Sequence, residues 1–331
     1  MSLANPVAPQ ARPTVPPTAS HAAKSAAVFP GQGSQGPCMG EPWRRSPQWQ
    51  LIRAAEEQLD RDLSTMLLDP QRPPTTVPQT HLAVVLCSLM AWSAARPRLA
   101  PTLVAGHSLG LVAALHAAGV LTAHGAVRVA AIRAEITERV AAVRPGAMTA
   151  ILGGTELARA ACEHFECWIA NDNSPEQSVI SGTPAALVRA EAEAWRLGAR
   201  DVVRLKIAGA FHSPLMHPAV AEFEYALREV GFARARIPVL HNAAVHAPGR
   251  ATPWPRILAD DLIRPVRWRE TQLLARRLGV TAIVQVGYGR TLTGLAKRTL
   301  PGVRLYNADT PAAIESIADA LTLSTNSRRT R

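Results

Sequence analysis

Aromatic residues are scarce in this chain, at 5% of 331 positions: seven Trp, three Tyr and five Phe. Proteins that stack nucleic-acid bases interleave aromatics with basic residues, and no segment here does so, which argues against a nucleic-acid partner. Cysteine is scarcer still. Cys38, Cys87, Cys162 and Cys167 form no CxxC pair, so buried thiols are expected rather than a metal site. Cys162 and Cys167 fall on an expected helix and the strand after it. No run of 18 apolar residues suggests a membrane span, and the N-terminus lacks the apolar stretch of a signal peptide. A cytoplasmic protein with no membrane partner is the expectation. Acidic residues are also in deficit, with 25 Asp and Glu against 36 Lys and Arg and a net charge of +11. Arg12, Lys24, Arg328, Arg329 and Arg331 lie near the two ends, leaving about +6 on the body. Such a body suits an acidic partner or a phosphorylated substrate.

What is present is organised. Residues 1–24 contain five prolines, no acid and no periodic apolar face, and read as a disordered tail. Residues 323–331 read as a second, basic tail. Between them, "SPQWQLIRAAEEQLDRDL" (46–63) reads as a helix capped by Ser-Pro, and "VPQTHLAVVLCSLMAWSAA" (77–95) as a helix buried on all sides. A strand at 102–105 and a helix at about 124–141 follow. The alternation predicts an α/β protein: a large α/β-hydrolase-like domain, 25–145 and 209–322, with a helix-covered parallel sheet. Over 146–208 the pattern changes to β-α-β-β-α-β, with strands at "AMTAILGG", "CWIAND", "QSVISG" and "DVVRLKI". That order predicts a small inserted ferredoxin-like domain.

The stretch "LVAGHSLGLVAAL" (103–115) carries the first chemical signal. GxSxG suits a nucleophile elbow, in which a serine sits on a cramped strand-to-helix turn and flanking side chains would collide. Ser108 is that serine. A serine hydroxyl needs a base at neutral pH. Among ten histidines, His212 stands out because "GAFHSP" places it in a loop where the chain re-enters the large domain.

"FPGQGSQ", "GHSLG", "ANDNSPEQSVISG", "GAFHSPLM", "RPVRW" and "VGYGRTLTGL" occur in the order seen in malonyl-CoA:acyl carrier protein transacylases and the acyltransferase domains of polyketide synthases. The chain resembles that family over about residues 26 to 310. The resemblance implies that Ser108 takes an acyl group from coenzyme A and passes it to the phosphopantetheine thiol of an acyl carrier protein. Coenzyme A enters as a substrate handle, and no metal or other cofactor is implied. His212 would be general base and then general acid, oriented by a backbone carbonyl that the motif match places on Arg267. The backbone amides of Gln32 and Leu109 would hold the oxyanion. Arg133, 25 residues after Ser108, would grip the malonyl carboxylate through its planar fork. Phe211 resembles the bulky residue of malonyl-selective members.

Several positions depart from the family pattern. Leu111 and Val112 stand where Glu and an aromatic are usual. Gln285 and Tyr288 turn "EVGPG" into "QVGYG", and Lys206-Ile207-Ala208 replaces a Pro-Val-Ser type. Together they imply a specialised member, serving a polyketide pathway rather than housekeeping fatty-acid synthesis. Three other readings compete. One is a serine esterase with Asp172 as its acid. A second keeps the fold and either hydrolyses carrier-bound thioesters or moves another acyl group. The third is a non-catalytic carrier-binding module.

Overall fold

The computed structural model describes residues 24–326, and two sheets organise them. The chain enters through β1 (Lys24–Phe29), passes a glycine-rich loop, and forms α1 (Gln50–Leu59), α2 (Ser64–Leu68) and α3 (Val77–Ala95). After β2 (Leu103–Gly106) come α4 (Gly110–Ala117) and α5 (Ala123–Val143). A second unit then intervenes, with β3 (Ala147–Leu152), α6 (Thr155–Cys162), β4 (Cys167–Ser174), β5 (Gln177–Gly182), α7 (Pro184–Arg196) and β6 (Asp201–Arg204). The first unit is completed by α8 (His217–Ala226), β7 (Val239–His241), β8 (Ala244–His246), α9 (Trp254–Asp260) and α10 (Trp268–Arg277). Last come β9 (Val280–Val286), α11 (Thr291–Thr299), β10 (Arg304–Ala308) and α12 (Pro311–Asn326).

The larger sheet runs β10-β9-β1-β2-β7-β8, parallel throughout except for the β7–β8 hairpin. Strand β1 shows why residues 26–29 are apolar without a break. Ala27 and Phe29 face one core, with α3, α4 and α5, while Ala26 and Val28 face a second, with α10 and α11. A parallel sheet covered on both sides requires this. Helix α3 opens with a capping box, in which Thr76 accepts from the Gln79 amide and Gln79 accepts from the Thr76 amide. By length and composition α3 is apolar enough to cross a membrane, but 78% of that window is buried inside the fold. It is a core helix, packed on α4 and α5.

The smaller sheet is antiparallel, in the order β4-β5-β3-β6. Helices α6 and α7 cover one face through Ala158, Leu187 and Ala190 against Ile151 and Ile180. The other face turns toward the larger unit, where Met148, Ala170 and Val179 pack with Val77, Ala134 and Phe211. A parallel bridge ties the units, with Asp172 N to Val266 O at 2.9 Å and Val266 N to Ala170 O at 2.8 Å.

The expectation of a Ser-Pro cap over 46–63 is corrected. The Ser46 hydroxyl donates to the Trp43 carbonyl instead, a 3-10 turn spans Pro47–Trp49, and α1 stops at Asp60, whose φ is +50°. Lys24, read as tail, is the first residue of β1, and α12 extends to Asn326, beyond the expected boundary at 322. The rest of the two tail expectations, 1–23 and 327–331, lies outside the described residues. Cys87, Cys162 and Cys167 are buried free thiols, and Cys38 is half-buried.

Candidate active site

The elbow is where the backbone is tightest. A Cβ on Gly106 would lie 2.1 Å from the Leu111 nitrogen, and one on Gly110 would lie 2.1 Å from the Phe29 carbonyl oxygen. Neither neighbour is a flexible side chain, so only glycine fits. Ser108 between them takes φ +52°, a left-handed conformation costing about 1–3 kcal/mol for a residue with a side chain. The half-buried hydroxyl it presents lies 2.7 Å from His212 Nε2.

His212 is also left-handed, at φ +59°, and the residue is 3% exposed. Nδ1 lies 2.7 Å from the Asp261 carbonyl and 3.0 Å from that of Arg264. Carbonyls only accept, so Nδ1 carries the proton and Nε2 is free to accept from Ser108. Burial, followed by the charge of Arg133, pulls the imidazole down to about 4, while Asp261 opposes them. His212 is therefore a neutral base at pH 7.

The carbonyl partners correct the expectation for Arg267. Its carbonyl accepts instead from the Thr271 amide and hydroxyl at the start of α10. Its amide donates to Asn242 and its side chain pairs with Glu270. An oxygen engaged in starting a helix is not presented to the histidine ring.

Arg133 projects from the buried face of α5 and is 6% exposed. Nη2 lies 3.4 Å from Ser108 Oγ and Nη1 3.3 Å from His81 Nε2. The guanidinium also sits 5.7 Å from the centre of the Phe211 ring. Burial lowers it to about 10, with Asp261 opposing, so it keeps its charge at pH 7. Among the described residues it has no ion-pair partner. Its neighbour His81 is fully buried, and burial followed by the Arg133 charge holds it well below the usual histidine range. A guanidinium only donates, so His81 Nε2 accepts and Nδ1, which has no partner, carries the proton. Phe211, directly before the base, is buried between this arginine and the small sheet.

Gln32 lies on the glycine-rich loop that meets the elbow carrying Leu109. A Cβ on Gly31 would lie 2.4 Å from the His107 carbonyl, so the glycine-rich loop presses on the elbow. Among the described residues neither the Gln32 nor the Leu109 amide donates to a protein acceptor. Leu109 immediately precedes α4, whose dipole adds positive potential there. His107 holds the elbow to the small sheet, through Nε2 to Asn173 Oδ1 at 2.8 Å.

Asp172, the acid of the esterase reading, is turned elsewhere. Its carboxylate takes Thr155 on one oxygen and Arg269 on the other. The departures at Leu111 and Val112 are core contacts of α4. Gln285 is fully buried and braces a loop: Oε1 accepts from the Leu292 and Thr293 amides, and Nε2 donates to the Tyr288 and Gly289 carbonyls. Tyr288 closes on the glycine-rich loop, its hydroxyl 2.8 Å from where a Cβ on Gly36 would stand. Lys206 is exposed and lines a cleft of about 340 Å³ with Gln32, His107 and Asn173. A second cleft, of about 680 Å³, reaches His212 past Asp172 and Ile263. A larger hollow of about 840 Å³ near Trp92 and Arg236 contains none of these groups.

Residue types alone did not point to His81, Asp261 or Arg264. His81 lies inside an apolar helix, and the other two act through carbonyls that every residue possesses.

The family described as acyl transferase domain matches residues 27–314. The malonyl CoA-acyl carrier protein transacylase of Synechocystis sp. is 34% identical over 299 residues, covering 86% of this chain and 96% of that protein. The polyketide biosynthesis protein ThaF of Burkholderia thailandensis is 34% identical over 83% of this chain, which spans 24% of that longer protein. A solved type II PKS acyl-carrier protein in complex with its malonyl-transacylase superimposes with a TM-score of 0.85, at 30% identity. It covers 90% of this chain and 99% of its own. Together with a serine, a neutral imidazole and an unpaired arginine meeting at one elbow, these likenesses show that the chain belongs to the acyl transferase domain family.

Proposed function

We propose that the protein transfers a malonyl group from coenzyme A to the phosphopantetheine thiol of an acyl carrier protein through an acyl-serine intermediate. One observation carries the malonyl assignment: Arg133 is buried, charged and, among the described residues, without an ion-pair partner, 3.4 Å from the nucleophile. A charge so placed favours a substrate that brings its own carboxylate.

The geometry supports the following steps. Ser108 Oγ attacks the thioester carbonyl while His212 Nε2 takes its proton. The oxyanion is held by the Gln32 and Leu109 amides, donors worth about 3 kcal/mol each in such sites. The tetrahedral species collapses, the C–S bond breaks, and His212 returns the proton to the departing coenzyme A sulfur. The carrier thiol then attacks the malonyl ester, giving its proton to His212, which passes it to Ser108 Oγ as the C–O bond breaks. Side chains and amides of the chain suffice for both halves, so no metal or resident cofactor is required.

The finer expectations belong to the same reading. The β4-β5-β3-β6 order with two helices on one face supports a ferredoxin-like domain over 146–208, inserted into an α/β-hydrolase-like domain of 25–145 and 209–322. Phe211, a bulky ring 5.7 Å from the Arg133 guanidinium, supports a preference for malonyl over methylmalonyl. The basic body supports an acidic carrier as partner. Such a carrier and coenzyme A support a cytoplasmic enzyme of fatty-acid or polyketide biosynthesis.

Intact mass after mixing with malonyl-CoA tests the proposal. A malonyl adduct absent from Ser108→Ala and discharged by a carrier protein is expected, and His212→Ala should slow its formation at least ~1000-fold. An adduct that survives in Ser108→Ala would move the nucleophile elsewhere. Discharge to water as fast as to the carrier would make the protein a thioester hydrolase.

A further inference from the structure

Behind the catalytic histidine stands a second cluster that the acyl-transfer steps do not use. Asp261 supplies the carbonyl nearest His212 Nδ1, at 2.7 Å. Its carboxylate is held from the other side, with both oxygens bonded to His241 Nε2 at 2.9 and 2.7 Å. His241 and Asp261 side chains are only 14% and 16% exposed. Nε2 faces a carboxylate, so it is the protonated nitrogen and donates. Asn242 adds a bond to the same carboxylate at 3.4 Å.

The holder is itself built tightly. His241 ends β7, a strand paired with β2, the strand that leads into the elbow. Asn242 and Ala243 form the two-residue turn to β8, at φ +45° and +63°. Both central residues of such a hairpin turn require positive φ, a strained choice for alanine. The turn is fastened to the segment after Asp261. Asn242 Oδ1 accepts from the Arg267 amide, and the Ala243 amide donates to Thr271 Oγ1, each at 3.0 Å. A loop carbonyl aims a catalytic ring only as well as its own residue is held. Here the hold comes from the same sheet that carries the nucleophile.

We propose that His241 is a positioning residue for acyl transfer: by clamping the Asp261 carboxylate it fixes the Asp261 carbonyl, and with it the ring of the catalytic His212. This rests on the acyl-serine mechanism above. The clamped carboxylate has a second effect, because its negative charge favours protonated His212. The charged and titratable groups facing His212 are Arg133 from α5, His107 from the turn after β2, and Asp261 itself. Those facing the carboxylate are His241 from β7, His246 from β8 and Arg133.

The test uses the full chain and two acyl donors, malonyl-CoA and 4-nitrophenyl acetate. The ester needs Ser108 and His212 but not the malonyl site, so it probes the clamp even if malonyl-CoA proves not to be the substrate. His241→Leu should lower the acylation rate about 10- to 100-fold with both donors, with KM for malonyl-CoA little changed. His241→Gln, whose amide N–H can still donate to Asp261, should recover most of that loss. Asp261→Asn keeps the carbonyl but removes the charge, so the acid limb of the rate profile should move to lower pH. Parent-like acylation in His241→Leu would overturn the proposal, as would His241→Gln failing as badly as His241→Leu with an unchanged melting temperature. So would an unmoved acid limb in Asp261→Asn. Should His241→Leu fail to fold, the His241→Gln rate and the Asp261→Asn profile decide alone. Failure of malonyl-CoA to acylate the parent while the ester does so would overturn the malonyl reading and leave the clamp standing.

Discussion

Arg133 Nη2 stands 3.4 Å from Ser108 Oγ, although the two residues belong to different elements, a helix and a strand-to-helix turn. The charge of the first lies against the reactive atom of the second, and Phe211 and His81 close the space around the guanidinium. A malonyl group on Ser108 extends its carboxylate only a few bonds from the ester. Arg133 is then the nearest cation to receive it.

Arg133→Ala should therefore lose most malonyl transfer while acetyl transfer holds or rises. The buried guanidinium penalises a neutral acyl group and rewards an acidic one, so both sides of the ratio move. Lysine at 133 should rescue only in part, having charge without the two-bond fork. The measurement is kcat/KM for malonyl-CoA divided by that for acetyl-CoA. An unchanged ratio in Arg133→Ala would remove the carboxylate clamp and the malonyl assignment with it.

Acid should act on catalysis and on stability in different pH windows. His212 must be neutral to accept the serine proton, and burial with Arg133 holds it at about 4. Acylation should persist well below pH 6.5 and fail only as pH drops toward about 4. An acid limb near 6.5 would show that the ring is solvated in the working enzyme.

Stability should decline earlier. His81, His107, His116, His212 and His246 are all lowered in the fold, with burial the largest cause for each. Below the unfolded value of about 6.5 the unfolded chain takes up protons that the native state refuses, so stability falls as pH falls. His212 alone contributes roughly 3 kcal/mol across that window, from its value of about 4. Urea midpoints at pH 7.5 and pH 5.0 check the sign, and equal midpoints would contradict it.

Two glycine substitutions should move stability in opposite directions. Gly106→Ala drives a Cβ to 2.1 Å from backbone at the elbow and should cost at least ~3 kcal/mol. Gly294→Ala, on the exposed face of α11 with nothing within 4 Å, should stabilise by about 0.5–1 kcal/mol. Thermal melts of the pair against the parent read both.

Transfer to the carrier protein should weaken as salt rises, because exposed charges are screened beyond ~10 Å at 0.1 M. Acylation by malonyl-CoA, a smaller contact, should weaken less. Equal salt dependence of the two half-reactions would show that basic charge does not recruit the carrier.

Much of this protein is legible in its residues. The unbroken apolar run of β1, the capping box and all-round apolarity of α3, and the two glycines of the elbow follow from local rules, because each is set by neighbours a few positions away. Ser108 and His212 could be paired from motif chemistry, and the resemblance brought Arg133, Gln32 and Leu109 to the same place. The carbonyl that orients the base could not be found this way. Every residue carries a carbonyl, so nothing in "ADDLIRPVRW" marks Asp261 above Arg267. That choice was made by the turn after α9 and by the start of α10, which engages Arg267. His81 was hidden for a related reason: on an apolar helix it reads as packing, and only the approach of α5 to α3 sets it against a guanidinium. Local pattern determined the elements and named the reactive groups. Long-range packing decided which backbone oxygen, which buried imidazole and which unpaired charge surround them, because those relations exist only once the sheet has closed.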